Sequence, residues 1–164
     1  MLKTPSQQDI ELNAIDDNSG AAVIGSNGCE TLVFLDLTDA FKTGNITIDQ
    51  SVERIELQYP IDCYSFKAVD NILLTYCPKD QLIFKVPVMS GGGLELAFPN
   101  GAGSVDFSSG VITIGGEPVA NTAPATMKSA LLDGSPSSTS WELIGDTDNR
   151  SRFFIGVDFD FPIL

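Results

Sequence analysis

The chain has 164 residues, 43% of them hydrophobic and 19% charged, which is enough apolar material for a buried core and too much for compositional disorder. Its 22 acidic and 9 basic side chains give a formal charge of −13, which argues against nucleic acid as a direct ligand, because phosphate backbones are bound by Lys and Arg displacing counterions. There is no histidine. That removes every Ser-His-Asp and Cys-His nucleophile pair, histidine-ligated zinc and the commonest proton shuttle near neutral pH.

A chain of this length predicts one domain, since about 100 to 200 residues is the usual size. We divide it into an N-terminal arm or edge strand over 1–28 and a β domain over 29–164. The first nine residues, Met1-Leu2-Lys3-Thr4-Pro5-Ser6-Gln7-Gln8-Asp9, contain no apolar run of the signal-peptide kind, and no stretch of about 18 apolar residues occurs anywhere. The expectation is a soluble protein made in a cytoplasm, with no membrane partner.

In chain order, Ile10, Leu12 and Ala14 alternate weakly before Asp16-Asp17-Asn18-Ser19-Gly20, so the first segment reads either as an arm that pairs with a neighbouring subunit or as an edge strand of its own fold. Strands are predicted at 31–37, 45–49, around Ile55, Leu57 and Tyr59, at 64–69 and at 72–76, each with apolar residues at period two. The next, 82–88, contains Pro87, which cannot donate a ladder hydrogen bond and therefore predicts an edge strand or a bend. Strands at 94–98, 104–107 and 111–114 follow, with Asn100-Gly101 and Ser109-Gly110 as tight-turn signals between them. Only 123–132 has helical spacing, with Pro124 suited to a first turn and Gly134 and Pro136 to end it. Beyond a serine-rich loop at 133–140 come a strand at 141–144 and the clearest alternation in the chain, Phe153, Ile155, Val157, Phe159 and Phe161. The expected fold is all-β, an antiparallel β-sandwich or jelly roll of about ten short strands with at most one short helix. No internal repeat survives a register check.

Groups that might carry chemistry have simpler readings. Asp16-Asp17-Asn18-Ser19-Gly20 has glycine where a calcium loop needs its third oxygen ligand, and Asn27 stands where the bidentate Glu belongs. In Asp146-Thr147-Asp148-Asn149 the next residue is Arg150, which repels a cation. Asp158 and Asp160 sit roughly 7 Å apart on one strand, a spacing that any strand with a polar face produces. Gly91-Gly92-Gly93 and Gly101-Ala102-Gly103 lack the Lys-Ser/Thr and the following helix of a phosphate loop, and Gly25-Ser26-Asn27-Gly28 has the wrong spacing for a nucleophile elbow. Cys29, Cys63 and Cys77 are odd in number and widely spaced, which reads as reduced thiols rather than disulfides or a zinc cluster. Trp141 reads as core at the start of a strand. No enzyme activity, metal or cofactor is expected.

The Gly/Ser/Asn-rich hairpins, the acidic balance, the histidine-free inventory and the Ser140-Trp141-Glu142-Leu143-Ile144-Gly145 stretch give the chain an overall texture that resembles small accessory structural proteins of tailed-bacteriophage particles, in particular capsid decoration or cement proteins with β-sandwich folds. The resemblance implies a virion protein made in the host cytoplasm, a dimer or trimer that binds the major capsid protein or tail components. The apolar ends fit such contacts: Ile10, Leu12 and Ile15 in the arm and Pro162, Ile163 and Leu164 at the C-terminus are the expected partner-binding residues. The alternative is a glycan- or receptor-binding β-sandwich module of tail, fibre or adhesion type. Ten Phe against three Tyr and one Trp weigh against it, because glycan surfaces favour aromatics with polar handles.

Overall fold

The computed structural model describes residues 21–23, 30–34, 46–77, 81–137 and 151–155. Its strands are β1 (Ala21–Val23), β2 (Glu30–Phe34), β3 (Ile46–Ile48), β4 (Arg54–Glu56), β5 (Ser65–Val69), β6 (Ile72–Tyr76), β7 (Leu82–Pro87), β8 (Glu95–Phe98), β9 (Gly101–Ser108), β10 (Val111–Ile114), β11 (Glu117–Pro118), β12 (Ala125–Thr126) and β13 (Ser151–Ile155). The fold is all-β; the one helical turn among the described residues is a 3-10 turn at Ile61–Cys63.

The strands form two sheets, one in the order β1-β3-β7-β6-β5-β12 and the other β11-β10-β9-β8-β4-β2-β13. The pairs β1 with β2, β3 with β4 and β7 with β8 each place their first strand in the first sheet and their second in the other. Equivalent strands then stack in parallel, β1 on β3 on β7 and β2 on β4 on β8. This is a structural repeat with no sequence repeat, because all that recurs is a short strand with one buried face. It also corrects the expectation of antiparallel pairing throughout: both sheets are mixed. Antiparallel ladders are confined to the local hairpins and to the pairing of β12 with β5.

Period-two burial drives both sheets to face one core. On the first sheet Ile46, Ile48, Phe66, Leu73, Phe84 and Val86 point inward; on the second Leu32, Ile55, Leu96, Phe98, Ile112 and Ile114 do. Rings meet between the sheets: Phe34 stacks on Phe84 with centroids 4.9 Å apart, and Phe66 meets Phe98 edge-on at 6.4 Å. The corner from β3 to β4 is made by Asp49, whose carboxylate accepts from the Ser51 amide at 2.9 Å and from the Ser51 hydroxyl.

Three local expectations change. Residues 123–132 form no helix: Ala125–Thr126 pairs with β5, Met127 is buried in the core and Leu131 is bonded by its amide to the Gly115 carbonyl, so tertiary partners replace helical bonds. β7 is an interior strand, and Pro87 is tolerated because the pairing of β7 with β3 runs only over Phe84 and Lys85, so the missing N–H lies past its end. The turn between β8 and β9 is Pro99-Asn100, closed by Phe98 opposite Gly101, one residue earlier than Asn100-Gly101. Ser109-Gly110 is the two-residue hairpin expected, with φ of 53° and 80°.

Residues 117–126 pass from one sheet to the other, with Val119 buried in the core. Leaving β11 at the margin of the second sheet, the chain crosses to the first, where the Ala68 amide donates to the Ala120 carbonyl at 2.8 Å and β12 pairs with β5. Pro118 and Pro124 in this crossing offer no N–H for further pairing, a usual way of blunting a sheet edge.

Candidate functional site

The expected contact residues Ile10, Leu12, Ile15, Pro162, Ile163 and Leu164 lie outside the described residues, as do Cys29, Trp141, Asp158, Asp160 and both acidic loops. Cys77 is buried in the core and Cys63 packs partly buried against it, both as free thiols. Among the described residues no group of three His, Cys, Asp or Glu side chains is placed to hold a metal ion, and no helix is long and apolar enough to cross a membrane.

What the fold does assemble is one end of the molecule built from three loops, the second of which is hydrogen-bonded to the first and to the strand that leads into the third. The β5–β6 turn, Asp70-Asn71, receives the Val88 amide on the Asn71 carbonyl at 2.7 Å. The loop from β7 to β8 continues through Met89 and Gly91-Gly92-Gly93, and the Gly91 amide donates to the Asp106 carboxylate on β9 at 3.0 Å. The third loop is the Ser109-Gly110 turn between β9 and β10. Gly91 and Gly93 take φ of 65° and 78°, conformations that a side chain resists, so glycine is needed there for the loop to turn. On this end stand Val69, Met89 and Val111, exposed by 42%, 48% and 42%.

The apolar surface continues onto the outer face of the first sheet. Register places Val69, Ile72 and Pro87 side by side on β5, β6 and β7. The next row crosses five strands: Lys67 opposite Leu74, Leu74 opposite Lys85, Lys85 opposite Thr47 and Thr47 opposite Ala22. Lys67, Leu74, Lys85 and Thr47 are partly buried and Ala22 is exposed. Neither lysine has a salt-bridge partner among the described residues, and no carboxylate occupies either row.

The second sheet is charged differently on its outer face. Arg54 and Glu95 are register partners on β4 and β8; the guanidinium donates to Glu95 at 2.5 Å and to the buried Glu56 at 3.0 Å. Its remaining nitrogen donates to the Ser135 and Pro136 carbonyls at 2.9 and 3.0 Å. This ion cluster holds down the strap at 131–137, which is also bonded through the mutual Ala102 and Gly134 amide-to-carbonyl pair. Each guanidinium nitrogen thus donates to the chain itself, which makes the cluster a brace for the strap.

Sequence reasoning missed Val69, Met89, Lys67 and Lys85. The available signal was in β6, where Ile72, Leu74 and Tyr76 are apolar on the face opposite Leu73 and Thr75: a strand with both faces apolar has something to contact on both. No protein-family model, no curated protein and no solved structure matches the chain.

Proposed function

We propose that the chain is a non-catalytic structural protein of a tailed-phage particle, of the capsid decoration type that its sequence texture resembles. In this reading it binds other virion subunits through the three-loop end and the adjoining face of the first sheet. The observation that carries it is the placement of Val69 at the end of β5, Met89 in the β7–β8 loop and Val111 at the start of β10, solvent-facing apolar residues on an end where that loop is hydrogen-bonded to the β5–β6 turn and to β9. A few exposed apolar side chains on rigid supports are what an interface core requires, since ordering a floppy loop on binding costs affinity. The double-sheet core beneath supplies that rigidity.

Mass spectrometry of gradient-purified particles from the native source tests this directly. The chain is expected at a stoichiometry of many copies per particle. In particles carrying a Val69→Asp/Met89→Asp variant its occupancy should fall at least tenfold. Purified particles that contain no trace of the chain overturn the proposal.

A further inference from the structure

We infer that the outer face of the first sheet is the docking site for the N-terminal segment of a second copy of this chain, with Lys67 and Lys85 as the charged contacts. This rests on the reading of the protein as an assembling structural subunit and names the partner of that same face. The lysines are two strands apart, about 10 Å, with Leu74 between them and the apolar row Val69, Ile72 and Pro87 alongside. A carboxylate-free basic row is unusual on a chain of charge −13, and it calls for an occupant that alternates acidic and apolar side chains.

The chain itself contains one. Asp9-Ile10-Glu11-Leu12 places two carboxylates about 7 Å apart on one side when extended, within reach of two flexible lysine side chains, and leaves Ile10 and Leu12 for apolar contacts. Eight residues separate Leu12 from Ala21, the first residue of β1, and β1 belongs to the same sheet, with Ala22 on the lysine row itself. A linker of that length spans up to roughly 30 Å, enough to reach a neighbouring copy. The like charge of two copies opposes their approach, but the Debye length of about 8 Å at physiological salt confines that repulsion, while the lysine contacts act at closer range.

Size-exclusion chromatography with light scattering on the full chain at micromolar concentration is the test. The wild-type chain is expected as an oligomer, and Lys67→Glu/Lys85→Glu as a monomer with at least tenfold weaker association and an unchanged circular dichroism spectrum. Adding Asp9→Lys/Glu11→Lys to that variant reverses both partners' charges and should restore the oligomer. An excess of a synthetic peptide of residues 8–17 should dissociate the wild-type oligomer, a readout that needs no variant to fold. A monomeric wild type, an oligomer indifferent to the lysine substitutions or to the peptide, or a charge reversal that fails to restore association overturns the assignment. Particle occupancy is scored separately, so a lysine-dependent oligomer absent from particles would uphold this contact and sink the virion role, and the reverse result would do the opposite.

Discussion

Phe34 and Phe84 stack with their ring planes 27° apart although they belong to different sheets, Phe34 on β2 and Phe84 on β7. Both are fully buried, so this contact joins the two halves of the core directly. Phe84→Ala is expected to cost about 3 to 5 kcal/mol, the range for emptying an aromatic site. Because the rings touch, the Phe34→Ala/Phe84→Ala double variant should lose less than the two single losses combined, by about 0.5 to 1.5 kcal/mol, in urea unfolding. Strict additivity would show that the rings act independently.

Arg54 and Glu95 differ in what their removal leaves behind. Arg54→Ala removes the guanidinium from the buried Glu56 and frees the Ser135 and Pro136 carbonyls, so about 2 to 3 kcal/mol should be lost and protease cleavage within 131–137 should accelerate. Glu95 is one-third exposed, and Glu95→Gln should cost no more than about 1 kcal/mol. Denaturant midpoints and limited proteolysis of the two variants check the order.

Thr75 is fully buried on β6 and its hydroxyl has no hydrogen-bond partner among the described residues. Its register partners are Phe66 and Phe84, an apolar setting in which an unmatched hydroxyl is costly. Thr75→Val, close in shape, should raise stability by about 1 kcal/mol, measured as a higher urea midpoint at unchanged m-value.

Tyr64 carries a buried phenol whose pKa burial pushes well above the ordinary value, opposed in part by the hydrogen bond from the Tyr59 amide at 3.2 Å. A raised folded value means that the neutral form is the one the fold favours. The associated stability is therefore complete below about pH 10, where the unfolded phenol titrates, and is lost as pH rises beyond it. Denaturation midpoints should fall as pH rises above about 10 in the wild type and fall less in Tyr64→Phe; equal slopes would remove Tyr64 as the cause.

Gly115 and Gly116 form the turn between β10 and β11 with φ of 54° and 79°. At Gly116 a Cβ meets open space, so Gly116→Ala should cost only the left-handed backbone penalty of about 1 to 2 kcal/mol. At Gly115 the same atom runs into the Leu131 backbone at the start of the strap. Gly115→Ala should therefore lower the melting temperature clearly further than Gly116→Ala does.

Local pattern made most of the strands legible. Where one face is buried, as in Phe66 and Ala68 or Ile112 and Ile114, period two in the sequence is period two in burial. The Ser109-Gly110 turn was legible because its backbone needs residues that tolerate positive φ. What the sequence could not carry was pairing. Nothing local distinguishes Ile55 beside Leu32 and Leu96 in parallel from Ile55 in a hairpin, since the partners lie far along the chain. The spacing of Met127 and Leu131 misled toward a helix because two apolar residues four apart also arise when an extended segment buries one and exposes the other. The lysine row was hidden for the same reason as the pairing: Lys67 and Lys85 become neighbours of Leu74 only once three strands are in register.

The threefold crossing between sheets has a kinetic consequence. The contiguous ladders, β5 with β6 and β7 and β8 with β9 and β10, close short loops and have little entropy to overcome. The parallel seams wait on distant segments; Arg54 and Glu95 are separated by 41 positions. Hairpins thus condense early, and the seams that lock β4 onto β8 and β3 onto β7 knit last, so weakening a seam should hasten unfolding while leaving the refolding rate nearly untouched.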